Sequence, residues 1–278
     1  MSSDIMPMTE PRPRRQRSQD SGATDAALLF DEPGPRGRIL IAIGSVVAVI
    51  GIAALAAAVL YRLDLAGQLD YPKWRYFLGQ SVVSQLLEAA GTTLTLGGVA
   101  AVLTFPLGIA LGWLRLLDNR PIKWLVGLWV DAMRAVPMLL LVYFFLLVVP
   151  RFATISDFWK LALPIVMCTS ATTAEVFRSG VRALDRGQTE AAWALGMSPS
   201  LTMRLILAPQ ALRLMLPTLI TQMVTIIKGT TLAYVLAYPE LMYRGSTMIG
   251  QAKIDAHLSV FFQTYVIIAV LYIIVNWS

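Results

Sequence analysis

Glu190-Ala191-Ala192-Trp193-Ala194-Leu195-Gly196-Met197-Ser198-Pro199, followed by Ile206-Leu207-Ala208-Pro209, lies between two apolar runs of membrane-spanning length. Its physical reading is a short helix, a glycine stop and a second short helix. Thr189 is placed to cap the first helix, and Gly196 suits the left-handed position that ends it. Ser198 is a good N-cap, and Pro199 fits the first turn of the next helix. A rigid helix-turn-helix at the membrane surface is a handle for a partner. The alternative is an ordinary connecting loop.

The chain around it is apolar. Of its 278 residues 56% are hydrophobic and 14% charged, whereas soluble domains carry about a quarter charged residues. It is therefore expected to be an integral membrane protein. Residues 1–38 are rich in Pro, Arg, Ser, Asp and Gly, and are expected to be a disordered basic cytoplasmic tail. The cluster Arg12, Arg14, Arg15 and Arg17 fits a membrane-surface or orientation role better than nucleic-acid binding, because a span follows.

That span covers 39–61, flanked by Arg36, Arg38 and Arg62. It is longer than a signal-peptide core and is expected to be an uncleaved anchor. Tyr71, Trp74, Tyr76 and Phe77, interleaved with Lys73 and Arg75, suggest an interfacial helix, so that 39–87 is an extra helix plus an outer-surface segment. Further spans are expected at 88–114, 123–149, 161–181, 212–236 and 258–276, six in all. The tail, 115–123 and 178–213 hold 14 Lys and Arg, against 7 in the opposite loops. The positive-inside rule then puts both termini and the Glu190 segment in the cytoplasm. Pro106, Pro137, Pro164 and Pro217 lie within spans and imply kinks, while Gly108 and Gly112 make a small-xxx-small pair suited to close packing.

Catalytic chemistry has few candidates. No phosphate-cradling Gly-Lys-Ser/Thr loop occurs: the one Lys-Gly pair, Lys228-Gly229, has the wrong order and sits in an apolar span. Cys168 has no second cysteine to pair with and suits packing. His257, the one histidine, suits a solvated or interfacial place. No cofactor or metal site is expected. Asp131, Arg134, Glu175 and Lys228, by contrast, stand inside spans. Each costs about 2.5–3.5 kcal/mol at the bilayer centre, so each must face an ion partner or a polar path. Thr172, Thr173, Thr230 and Thr231 add hydroxyls, for which bonding to their own backbone is the competing use. Arg134 lies about 16 Å and Glu175 about 9 Å from the cytoplasmic ends of antiparallel spans, so they are expected to approach one another.

Several separated segments resemble one family. The cytoplasmic loop of ATP-binding-cassette (ABC) importer permeases reads Glu-Ala-Ala, three residues, Gly, nine residues, Ile, any residue, Leu-Pro. Glu190, Ala191, Ala192, Gly196, Ile206 and Pro209 match in register, with Ala208 where Leu is usual. Arg134-Ala135-Val136-Pro137-Met138-Leu139, Ala174-Glu175-Val176-Phe177-Arg178-Ser179-Gly180, Gly187-Gln188 before Thr189-Glu190 and Pro209-Gln210-Ala211 resemble the polar amino-acid branch. So does Lys228-Gly229-Thr230-Thr231-Leu232, with Gly229 for the usual acid. The stretch 30–36 and the extra first span resemble actinobacterial glutamate importer permeases.

The resemblance implies an all-α type I importer transmembrane domain over 88–278, with a five-helix core, one added N-terminal helix and a coupling loop at 186–210. Gly187, Gln188, Glu190, Ala191, Ala192, Gly196, Met197, Ser198 and Pro199 would couple to the ATPase. Asp131, Arg134, Thr172, Thr173, Glu175, Lys228, Thr230 and Thr231 would line the substrate path. The implied partners are two ABC ATPase subunits carrying ATP and Mg, a second permease subunit, an extracytoplasmic solute-binding protein and the lipid bilayer, with no nucleic acid. The implied solute is glutamate or another polar amino acid, and the place is the cell membrane. An ion-coupled secondary amino-acid transporter and a channel are the rival readings.

Overall fold

A computed structural model describes residues 34–277. The tail expected to be disordered lies, for residues 1–33, outside the described residues. The chain divides into two units, residues 1–66 and 67–278.

The first unit contains α1, Pro35–Leu65, with proline in the first turn and Arg62 in the last. Its 18-residue core has a mean hydropathy of 2.8, and none of the helix is buried within the chain. A helix apolar on every side and left open by the described residues is suited to lipid.

The second unit begins with Gly67 in a left-handed turn, then α2 Tyr71–Arg75 and a 3-10 turn, Tyr76–Leu78. The expected outer-surface helix is thus short, and it packs on the unit: Phe77 joins Val82, Leu86, Met248, Ala252 and Val260 in one buried cluster. The indole of Trp74 donates to the Gln68 carbonyl at 3.2 Å and meets Phe262 edge-on. Next come α3 Gln80–Leu114, α4 Arg120–Ala135, α5 Met138–Leu147 and a 3-10 turn at Val149–Arg151. They are followed by α6 Asp157–Arg182, α7 Arg186–Ala194, α8 Pro199–Thr202 and a π turn, Met203–Leu207. The unit closes with α9 Ala208–Gly229, a 3-10 stretch Thr230–Leu236, α10 Leu241–Asp255 and α11 Phe261–Trp277.

The molecule is an all-α, multi-pass membrane protein. Among the described residues three helical stretches are long and apolar enough to cross a membrane: Pro35–Leu65, Gln80–Leu114 and Pro199–Leu236. Arg120–Ala135 and Met138–Arg151 together make a fourth, bent by 95°. Six spans were expected, with kinks at the four prolines. The single span expected at 123–149 is corrected to this broken pair, and the cause is local. Pro137 pushes the residue before it out of the helical region, and Val136 is extended, with ψ 128°. Pro106, Pro164 and Pro217 instead lie inside continuous helices. The 17-residue α11 is apolar but short, and α6 carries five charged residues.

Helices α3 and α6 form the centre. In lipid, apolar surface gains little from leaving its surroundings, so close contact has to hold helices together. Gly108 and Gly112 provide it. A Cβ on Gly108 would lie 2.5 Å from the Thr173 Cβ, and one on Gly112 would lie 2.6 Å from the Ala174 carbonyl oxygen. Buried Thr104 and Thr169 share a hydrogen bond of 2.8 Å across the same seam. Glu240, fully buried, caps α10 by accepting from the amides of Met242 and Tyr243, and also accepts from the Tyr272 hydroxyl at 2.8 Å. One side chain thus ties α10 to α11.

Candidate functional site: a surface helix-turn-helix and a charged cavity

The segment 185–210 is a chain of capped short helices. Asp185, and not Thr189 as expected, caps α7: its Oδ1 accepts from the Gly187 amide at 2.7 Å, while Thr189 lies inside the helix. The helix begins one turn earlier than the Glu-Ala-Ala run suggested. Its end follows expectation. Gly196 has φ +75°, its amide donates to the Trp193 carbonyl, and the Met197 amide donates to the Ala192 carbonyl. That pair of bonds is the Schellman arrangement, which satisfies carbonyls a helix end leaves open. Ser198 caps α8 through the Leu201 amide, and Pro199 opens it.

Between α8 and α9 the backbone widens into the π turn. Pro209 has no N–H for the Leu205 carbonyl that an α-helix would direct at it, and a π turn changes the pairing at that point. Gln188 accepts from Gln210 at 3.2 Å, so the start of α7 is tied to the start of α9. Ala192 is buried against the body, whereas Glu190 and Ala191 are exposed. Trp193 is 56% and Leu195 82% exposed. The segment is held firmly and leaves an apolar surface uncovered.

The charged residues gather elsewhere. Arg115, at the C-cap of α3, is only 14% exposed. It donates to Glu175 Oε2 at 2.8 Å and reaches Asp131 Oδ1 at 3.4 Å. Arg178 Nε lies 3.1 Å from both Glu175 oxygens, and its Nη2 also donates to Glu175. Arg134 has a looser contact, 4.0 Å from Asp131 Oδ1, with the two side chains 44% and 60% exposed. A cavity of about 420 Å³ opens beside the cluster, lined by Arg134, Thr172, Glu175, Ser179, Leu214 and Thr218. Three arginines against two carboxylates leave the cluster one positive charge in excess.

The expected path residues therefore separate. Arg134, Thr172 and Glu175 share this cavity, but the bonds of Glu175 run to Arg115 and Arg178 and not to Arg134. Lys228 and Thr231 line a different one, beside Tyr272 and Asn276. Thr173 and Thr230 are fully buried and donate to the carbonyls of Thr169 and Ile227. Thr172 likewise donates to the Cys168 carbonyl. Sequence reading missed Arg115, which it counted as a loop charge. Its partners Asp131 and Glu175 lie 16 and 60 residues away in the chain, so no local pattern marks it.

Known transport proteins resemble this chain. Residues 104–278 match the family described as binding-protein-dependent transport system inner membrane component. A probable glutamine ABC transporter permease protein of Bacillus subtilis is 33% identical over 67% of this chain and 84% of its own length. The glutamate transport system permease protein of Corynebacterium glutamicum is 32% identical over 76% of this chain and 77% of its own. Among solved structures, an amino acid ABC transporter superposes with a TM-score of 0.63 at 24% identity, covering 71% of this chain and 90% of that one. The MetNI methionine ABC transporter, in an inward-facing conformation, superposes at 0.57 with 18% identity over 72% and 94%.

Proposed function

The chain belongs to the family of binding-protein-dependent transport system inner membrane components, and on that premise we propose how it carries its solute. It is a transmembrane permease subunit of an ABC-type amino-acid importer, without catalytic chemistry of its own. Family membership sets aside the secondary-carrier and channel readings. Such systems work with an ATPase and a solute-binding protein.

A five-helix core over 88–278 is preceded by one added helix, both termini are cytoplasmic, and the protein sits in the cell membrane. Two permease subunits pair, two ATPase subunits carry ATP and Mg, and a binding protein delivers solute from outside. The observation that carries the coupling role is the exposed α7–α8 segment, with Gly196 in its left-handed turn and Trp193 and Leu195 uncovered. ATP-driven closure of the ATPase pair draws these segments together. The charged cavity then changes its access, which requires that nucleotide bind the two states unequally.

Glutamate, or another polar amino acid with a carboxylate, is the solute this cavity suits. Its cluster has an excess positive charge, and Arg134 is its least committed cation. Lys228 and Thr231 stand on the second cavity and Asp131 holds the arginines, while Thr173 and Thr230 serve the path by packing its walls. The test is uptake in proteoliposomes containing the permease, its ATPase and its binding protein. ATP-dependent glutamate uptake that glutamate and glutamine compete for unequally supports this reading. Uptake that follows an ion gradient without ATP refutes it.

A further inference from the structure

Where α3 ends, a third cavity separates it from the coupling segment. It measures about 250 Å³, and its walls include Trp113, Leu116, Asp118, Trp193, Met203 and Leu207. One wall is the turn after α3. The other is α7 and the π turn that joins α8 to α9. The lining is two indoles, aliphatic side chains and the hydroxyl residues Thr189, Ser200 and Thr202, with one carboxylate. Among the described residues Asp118 has no ion-pair partner, and its nearest arginine in sequence with a defined role, Arg115, is committed to Glu175 and Asp131. The same turns and helix ends carry Arg120, Lys123, Arg182, Arg186 and Arg204 against two further acids, Asp185 and Glu190.

This chemistry selects an occupant. A carboxylate at an aromatic and aliphatic slot suits a long apolar stem ending in a cation, which lies against indole faces and places its charge at the acid. The slot offers no cation for a free amino acid's carboxylate, so a zwitterion is a poor fit. We propose that the cavity receives a lysine or arginine side chain of the ATPase subunit. The proposal rests on the coupling role assigned to α7 and α8 above. An unpaired acid in mostly basic surroundings favours a basic side chain at one place and disfavours it at most others, which sets register more than affinity. The grip then has two points, the coupling helix and the end of α3. Movement of the ATPase is passed to α3 as well as, through the π turn, to α9.

The experiment uses the full permease with its ATPase in nanodiscs, measuring association and ATP-dependent uptake. Asp118→Arg is expected to weaken association tenfold or more, Asp118→Asn severalfold, and Asp118→Glu little. The difference between wild type and Asp118→Asn should shrink as salt is raised. Reversing one lysine or arginine of the ATPase to Glu should restore binding to Asp118→Arg and to no other variant. The isosteric Asp118→Asn keeps the test valid should Asp118→Arg insert poorly. Association of Asp118→Arg within twofold of wild type, or a loss that no ATPase reversal repairs, overturns the proposal. If Gly196→Pro still abolishes coupling in that case, the coupling role stands without the slot. If wild type itself shows no ATPase association, the coupling reading falls first.

Discussion

Glu175 and Arg134 line one cavity, yet they stand in different electrostatic positions. Glu175 is held by two mostly shielded arginines. Glu175→Ala leaves both cations without their main partner. Hydrogen bonds to charged groups are worth about 1.5–3 kcal/mol, so a loss of that size is expected in detergent thermal unfolding. Pairing it with Arg115→Met should recover part of the loss, as a coupled pair requires. Arg134→Ala breaks only a loose, exposed contact, and its stability cost should stay within about 1 kcal/mol. It should nevertheless reduce glutamate uptake or shift preference toward glutamine. Arg134→Ala with wild-type uptake and selectivity would remove this residue from the path.

The turn and the seam decide matters at the scale of elements. Gly196 meets no obstacle within 4 Å, and only its φ of +75° forbids a side chain. Gly196→Ala is therefore expected to cost about 1–2 kcal/mol and to leave partial uptake. Gly196→Pro cannot adopt that φ and should abolish ATPase association while the protein still inserts. The check is co-purification of the ATPase with membrane-inserted mutant. Gly108 poses the opposite problem: its backbone is ordinary, and its space is taken by Thr173. Gly108→Ala should force α3 and α6 apart at a cost of about 1–3 kcal/mol, visible as a lower melting temperature. An unchanged melting temperature would mean the two helices pack less closely than described.

Across the whole molecule, the two units invite separate treatment. Among the described residues nothing of α1 is buried, and it is flanked by Arg36, Arg38 and Arg62. Deleting residues 1–33 while keeping Arg36 and Arg38 preserves the charges that orient the first span. Uptake by that variant is expected to stay near wild type. If transport is lost from correctly inserted protein, the tail acquires a docking or regulatory role. The purified permease, freed of ATPase, should also hydrolyse no ATP, because it has no phosphate-cradling loop. Hydrolysis by the chain alone would contradict its place as a transport subunit.

Hydropathy, caps and turn chemistry act over a few residues, and those were legible in the sequence. The apolar stretches around α1, α3 and α9, the Gly196 stop and the Ser198–Pro199 start all follow from neighbours in the chain. So does the family, whose motif is a local helix-turn-helix. Even locally one competitor was misjudged: Asp185 caps α7 better than Thr189, since a carboxylate two residues ahead of the Gly187 amide is a stronger acceptor. The charges were legible as costly but not as partners. Arg115 and Glu175 are 60 residues apart, and only the close α3–α6 seam, opened by two glycines, brings them together. The 95° break after Val136 decided where Asp131 and Arg134 end up, and the slot at Asp118 exists only because α3 ends against the coupling segment. Local rules set which residues form helices and where those helices stop. Long-range packing chose which charge meets which, because contact across the bundle is free of sequence distance.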